Sequence, residues 1–125
     1  MLLNLTDLSN EPLQSQIFRQ IRAKILSGEL AAGEMLPSIR ALALQQQVSV
    51  VTVQRGYESL ERADMIHSRR GKGFFMSEIT QTDRKEIAMK GLIQKIEPLL
   101  RAALKEGITP PEILEAIRNI LESKE

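Results

Sequence analysis

Two short amphipathic helices separated by only about three residues are the feature that most restricts what this chain can fold into. The first follows Pro37 and Ser38, whose hydroxyl can accept from the exposed amides of a helix beginning at Ile39. Ile39, Leu42 and Ala43 mark its inward face, and the polar run Gln45-Gln46-Gln47 ends it. The second is capped by Ser49 and ends near Leu60. At 100° per residue, Val53, Tyr57 and Leu60 lie within about 60° of one another and form its buried stripe. Val50 falls at the edge of that stripe, Gln54 on the flank, and Val51, Arg55, Glu58 and Arg62 on the opposite side. Gly56 lowers helix propensity by about 1 kcal/mol relative to Ala. Its place beside the buried face implies either a close helix crossing or a tolerated defect.

After Asp64-Met65 the pattern changes. Ile66 to Arg69 and Phe74 to Met76 read as short strands joined through Arg70-Gly71-Lys72-Gly73. The two glycines permit positive φ in a tight hairpin, and Arg69, Arg70 and Lys72 put three cations at its tip. Two helices, a tight turn and a basic hairpin describe a winged helix-turn-helix.

The flanking segments are helical. Leu13, Ile17, Ile21 and Ile25, with Phe18 and Leu26 beside them, form a core helix ended by Gly28. Asn10 is expected to cap it, with Glu11 and Pro12 in its first turn. Residues 1–10 read as an extended lead-in, and Glu29 to Leu36 as a connector turning at Gly33. From Thr80 an apolar stripe runs through Ile87, Leu92, Ile96, Leu99, Leu100 and Leu104, with Pro98 expected to kink or restart the helix near Ile96. Gly107 closes that segment, and Thr109-Pro110-Pro111-Glu112 starts a last helix with Ile113, Leu114, Ile117, Ile120 and Leu121 on its apolar face. The expected fold is mostly α with a small β-hairpin: a winged helix-turn-helix over 1–77, then a two-helix tail over 78–125. Two helices can bury little by themselves, so the tail is expected to pair with a second copy.

Composition excludes more than it selects. Net charge is only +1, although Ser38 to Met76 carries six Lys/Arg against three acids. The absence of cysteine excludes disulfides and thiolate chemistry and suits a reducing cytoplasm. The apolar start Met1-Leu2-Leu3 is too short for a signal peptide, and no stretch approaches a membrane span. His67, the single histidine, has no Cys, Asp or Glu cluster around it in sequence and reads as a strand residue, so no metal or other cofactor is expected. No serine has a recognisable His-acid partner set, and Gly71-Lys72-Gly73 is too short for a nucleotide loop, so no enzyme activity is expected.

The succession Gly28-Glu29-Leu30, Gly33, Leu36-Pro37-Ser38-Ile39-Arg40, Thr52-Val53 and Gly71-Lys72-Gly73-Phe74-Phe75 resembles the GntR family of bacterial transcriptional regulators over roughly residues 10–77. Val53-Gln54-Arg55, the Arg69-Arg70-Gly71-Lys72-Gly73 wing and the short tail look like its YtrA-type subgroup. Departures from the pattern include Val50 and Val51, Ala32, Gly56, Asp64 and Phe74. The resemblance implies a homodimer reading an inverted-repeat operator in double-stranded DNA, with Arg40, Gln54, Arg55, Arg70, Gly71 and the wing cations as contacts. For the subgroup it implies repression of transporter operons.

The chemistry of the residues agrees with that expectation. The second helix of such a motif offers its N-terminal residues to the major groove. Val51 can pack on a thymine methyl, Gln54 can pair with adenine, and Arg55 can reach guanine or a phosphate. Ser38 and Ser49, beside free helix amides, suit phosphate. The expected contact set is therefore Ser38, Arg40, Ser49, Val51, Thr52, Gln54, Arg55, Arg69, Arg70, Gly71, Lys72 and Gly73. The competing reading is a protein-interaction module whose apolar tail docks a larger partner while the wing is merely solvated. A membrane-surface role is disfavoured, because no helix sets concentrated Lys/Arg against a large apolar face. Any effector, the operator and the regulated genes lie outside the sequence.

Overall fold

The computed structural model describes residues 1–123. They form α1 (Leu13–Leu26), α2 (Ile39–Gln46), α3 (Val50–Arg62), β1 (Ile66–Arg69), β2 (Gly73–Met76), α4 (Gln81–Lys105) and α5 (Pro110–Glu122). Two compact units divide the chain, Met1–Lys85 and a second beginning at Glu86.

In the first unit α3 is the common neighbour of α1, α2 and β1. Ile17, Ile21 and Ile25 of α1 and Val53, Tyr57 and Leu60 of α3 are buried with Leu42, Met65, Ile66 and Met76. Gly56 lies at a helix crossing, since a Cβ there would meet Ile17 Cγ2 at 2.8 Å and the Gln14 carbonyl at 3.4 Å. The glycine is therefore a packing requirement, which decides between the two readings of its poor propensity.

Helix α1 starts later than the sequence implies. Its N-cap is Pro12, no side chain caps it, and its first turn holds no acid. Asn10 does not cap the helix, and Glu11 lies ahead of it, ion-paired with Arg19 at 2.9 Å. The reason lies one turn further on. The buried Gln16 amide donates to the carbonyls of Thr6 and Glu11, each at 2.8 Å, and accepts from the Thr6 amide at 3.0 Å. Gln20 makes the matching pair with Asn4, both at 2.7 Å. These side chains hold the lead-in against α1, and Gln16 takes the Glu11 carbonyl that an earlier helix start would have given to the Ser15 amide.

The hairpin pairs Ile66 with Met76, His67 with Phe75, Ser68 with Phe74 and Arg69 with Gly73. The connector supplies a third strand-like edge: Met35 bridges Phe75, and Met76 donates its amide to the Glu34 carbonyl at 2.8 Å. This fastens the wing to the segment that leads into α2.

In the second unit, α5 begins with a full capping box between Thr109 and Glu112. Gly107, at φ +93°, turns the chain between the helices. Pro98 neither ends nor restarts α4, which is one helix from Gln81 to Lys105. Pro98 and Gln94, whose carbonyl loses its amide partner, are both exposed, so solvent can satisfy the freed group. Neither α4 nor α5 has a buried residue. Among the described residues no helix is long and apolar enough to cross a membrane.

Candidate nucleic-acid interface

The two helix starts fold as their capping residues dictate. Ser38 accepts from the Ala41 amide at 3.0 Å, and Ser49 accepts from the Thr52 amide at 3.1 Å. The Thr52 hydroxyl lies 2.7 Å from that of Ser49. Each cap satisfies one of the orphan amides and leaves others at the helix end facing outward. Gln47, at φ +56°, takes the left-handed conformation that ends α2, and three residues, Gln47 to Ser49, join the helices.

Burial along α3 separates its faces sharply. Val53, Tyr57 and Leu60 are fully buried, whereas Val51 is 53% exposed and Gln54 and Arg55 are exposed beside it. Arg40 is exposed near the start of α2 and shares a shallow depression with Leu44, Gln47 and Val50. The helix-turn-helix thus brings Arg40 together with the beginning of α3.

Tyr57 ties the parts of this unit together. Its hydroxyl donates to the Pro37 carbonyl at 2.7 Å, just ahead of α2, and its ring meets Phe74 of β2 edge-on with centroids 5.1 Å apart. Burial pushes the Tyr57 hydroxyl pKa well above its ordinary value, so it stays a neutral donor. One α3 side chain therefore anchors the entrance to α2 and the base of the wing.

At the hairpin tip the Lys72 amide donates to the Arg69 carbonyl at 2.9 Å. Gly71 and Gly73 sit at φ +74° and +110°, conformations that a side chain disfavours. Arg69, Arg70 and Lys72 are all exposed there. The Arg69 guanidinium carbon lies 4.6 Å from the Phe75 ring centroid. His67 stacks on Phe75 at 6.2 Å, and its Nδ1 is 3.3 Å from the Ser77 hydroxyl.

Four cations of the chain are held in ion pairs, none of them on this surface. Arg19, Lys24, Arg101 and Arg118 each lie within 4 Å of a carboxylate. Among the described residues, Arg40, Arg55, Arg69, Arg70 and Lys72 have no such partner. No group of three or more His, Cys, Asp or Glu is placed to hold a metal ion among those residues.

The apolar tail residues remain open within the single chain. Leu92, Leu99, Leu104, Leu114 and Leu121 are exposed, and Ile87, Ile96, Leu100, Ile113 and Ile117 are half-buried. Sequence reasoning missed three parts of the first unit: the Tyr57 link, the Phe75 platform under Arg69, and the lead-in. Leu5, Thr6 and Asp7 line a crevice with Gln47, Ser49 and Thr52. No local signal brings the lead-in there, because Gln16 and Gln20 reach it across 10 and 16 residues.

Residues 13–76 match the family model described as bacterial regulatory proteins, gntR family. The chain is 31% identical over 112 residues to the HTH-type transcriptional repressor YtrA of Bacillus subtilis, spanning 90% of this chain and 86% of that protein. A solved GntR family transcriptional regulator from Listeria monocytogenes superposes with a TM-score of 0.75 at 28% identity, covering 89% of this chain and 96% of that one. The DNA-binding domain of AraR, solved in complex with operator ORX1, superposes with a TM-score of 0.53 at 25% identity over 60% of this chain and 93% of that one.

Proposed function

Because this chain belongs to the gntR family of DNA-binding transcriptional regulators, we propose that it is a homodimeric repressor acting on an inverted-repeat operator. In this reading residues 1–77 read DNA and residues 78–125 join two copies, each copy taking one half-site. The family is non-enzymatic and no catalytic step enters the mechanism.

The observation that carries the reading is the gathering of Arg40, Arg55, Arg69, Arg70 and Lys72, exposed and without carboxylate partners, on the helix-turn-helix and the wing of one unit. Arginines outside ion pairs surrender no carboxylate when they meet phosphate, and each releases a counterion from the duplex. The α3 start enters the major groove, where Val51 packs on a thymine methyl, Gln54 pairs with adenine and Arg55 reaches guanine or phosphate. Ser38, Ser49 and Thr52, with the adjoining amides, and Arg40 hold the backbone and set the register. Arg69, Arg70 and Lys72 extend contact to the neighbouring backbone or minor groove, Gly71 and Gly73 letting the hairpin approach closely.

For the tail, support comes from apolar side chains open within one copy: Leu99 is 69% exposed and Leu121 78%. Ile87, Leu92, Ile96, Leu99, Leu100 and Leu104 of α4, with Ile113, Leu114, Ile117 and Leu121 of α5, form the dimer surface. The lack of cysteine fits work in the cytoplasm, and a transporter operon is the target proposed.

The test uses a duplex from the DNA upstream of the chain's own gene. Arg40→Ala and Arg55→Ala are each expected to weaken binding about ten-fold, with mass and helix content unchanged. Normal binding by both would show the reading surface to be wrong. A monomeric mass for the intact chain at micromolar concentration would refute the dimer. Tight binding to another protein with no duplex bound at low salt would favour the interaction-module reading.

A further inference from the structure

We infer that Phe75 is a positioning residue for the wing, holding the Arg69 guanidinium by its face so that its N–H edge is presented to nucleic-acid phosphate. The inference rests on the wing contact proposed above and assigns a role to a residue outside that contact set.

The hairpin register creates the arrangement. Arg69 stands opposite Gly73, which has no side chain, and no atom lies within 4 Å of where a Cβ would be. The Arg69 side chain therefore has no direct cross-strand neighbour and lies over Phe75, two residues along, with Cζ 4.6 Å from the ring centroid. Successive strand residues face opposite ways, so the two adjacent phenylalanines divide their work. Phe74 turns to Tyr57 in the core, whereas Phe75 stacks with His67 on the other face. Met35 bridges Phe75 from the far side, so the Phe75 backbone is paired on both edges.

The kind of contact matters. An ion pair occupies guanidinium N–H donors, as in Arg19, where Nε and Nη2 both serve Glu11. Stacking uses only the guanidinium face and leaves the in-plane donors available for a phosphate fork. It also limits the rotamers that must be frozen when DNA binds. Arg69 is thus restrained and unsatisfied at once, a combination suited to backbone recognition.

The test measures binding of a labelled mixed-sequence duplex at low salt by fluorescence anisotropy. Phe75→Leu is expected to weaken binding about three-fold while Phe75→Tyr, which keeps the ring, binds normally. Arg69→Ala is expected to weaken binding at least as much and to lower the salt slope by about 0.9. On the Arg69→Ala background, Phe75→Leu should add nothing, because the ring acts through that arginine. A merely structural role would leave the Phe75→Leu effect undiminished on that background and would overturn the proposal. Normal binding by Phe75→Leu would also overturn it. Normal binding by Arg69→Ala would remove the wing contact and this role with it, while leaving recognition through Arg40 and Arg55 standing. Failure of the unsubstituted chain to bind would refute the DNA reading itself. Arg69→Lys tests the contact without touching the ring: charge survives but flat stacking does not, and reduced binding is expected. Binding equal to the unsubstituted chain would count against the platform.

Discussion

Helices α3 and α5 are both 13 residues long and both amphipathic, yet one is half enclosed and the other has no buried residue. Val53, Tyr57 and Leu60 of α3 are fully buried, while Ile120 of α5 is 71% exposed. The difference teaches what periodicity can and cannot say. An apolar stripe identifies the face that leaves water, but the covering partner has to come from elsewhere in the fold. Helix α3 finds α1, α2 and β1 within its own chain. For α5 the proposed cover is a second copy.

The largest expected effect tests that contrast directly. Ile21→Ala, at a fully buried α1 position, should cost about 2–5 kcal/mol in chemical denaturation. Leu121→Ala, at a dimer-surface position 78% exposed in the single chain, should cost under about 0.5 kcal/mol in dilute, monomeric protein. At concentrations that populate the dimer, its cost should grow with concentration, because association stabilises only the folded chain. An equal, concentration-independent loss at both positions would break the comparison.

Smaller effects sharpen it. Gly56→Ala forces a methyl against Ile17 and should destabilise by about 1–3 kcal/mol, despite improving helix propensity. A stabilised variant, measured by urea melting, would mean that the helix crossing relaxes freely. Tyr57→Phe strands the Pro37 carbonyl and should cost about 1–2 kcal/mol by the same measurement. Loss of operator affinity beyond that of an equally destabilised core variant would identify Tyr57 as setting the reading geometry.

In the tail, Thr109→Ala removes the α5 cap and should lower helix stability by about 1 kcal/mol, read by thermal circular dichroism. The smallest effect is on pH. The Thr109 amide, then its hydroxyl, donates to Glu112 and holds that carboxyl below its ordinary pKa. A depressed folded pKa means that stabilisation is present above the ordinary carboxylate pKa and is lost as pH falls through the folded one. Acidification should therefore loosen the start of α5 in the unsubstituted chain, and Glu112→Gln should remove that dependence. Identical acid profiles would show that the charge contributes nothing.

Local signals were legible where the responsible groups lie within a few residues of one another. Ser38, Ser49 and Thr109 cap as their spacing implies, Gly28 ends α1, and Gly71 and Gly73 turn the hairpin. The exposed positions of Arg40, Val51, Gln54 and Arg55 follow from helical geometry once the buried stripe is identified. The failures have long-range causes. Asn10 is a good cap by local chemistry, but Gln16 and Gln20 draw the lead-in onto α1. At Pro98 the restart, one of the two outcomes expected there, does not occur, because one freed, exposed carbonyl does not end a helix of 25 residues.

By itself the amino-acid sequence determined the order of elements, the apolar faces, the caps at Ser38, Ser49 and Thr109 and the wing cations, because these depend on neighbours one or two turns away. Only tertiary structure decided that Gly56 answers to Ile17, that Tyr57 binds Pro37, and that Arg69 rests on Phe75. Such pairings depend on how whole elements cross and register, which no local period encodes.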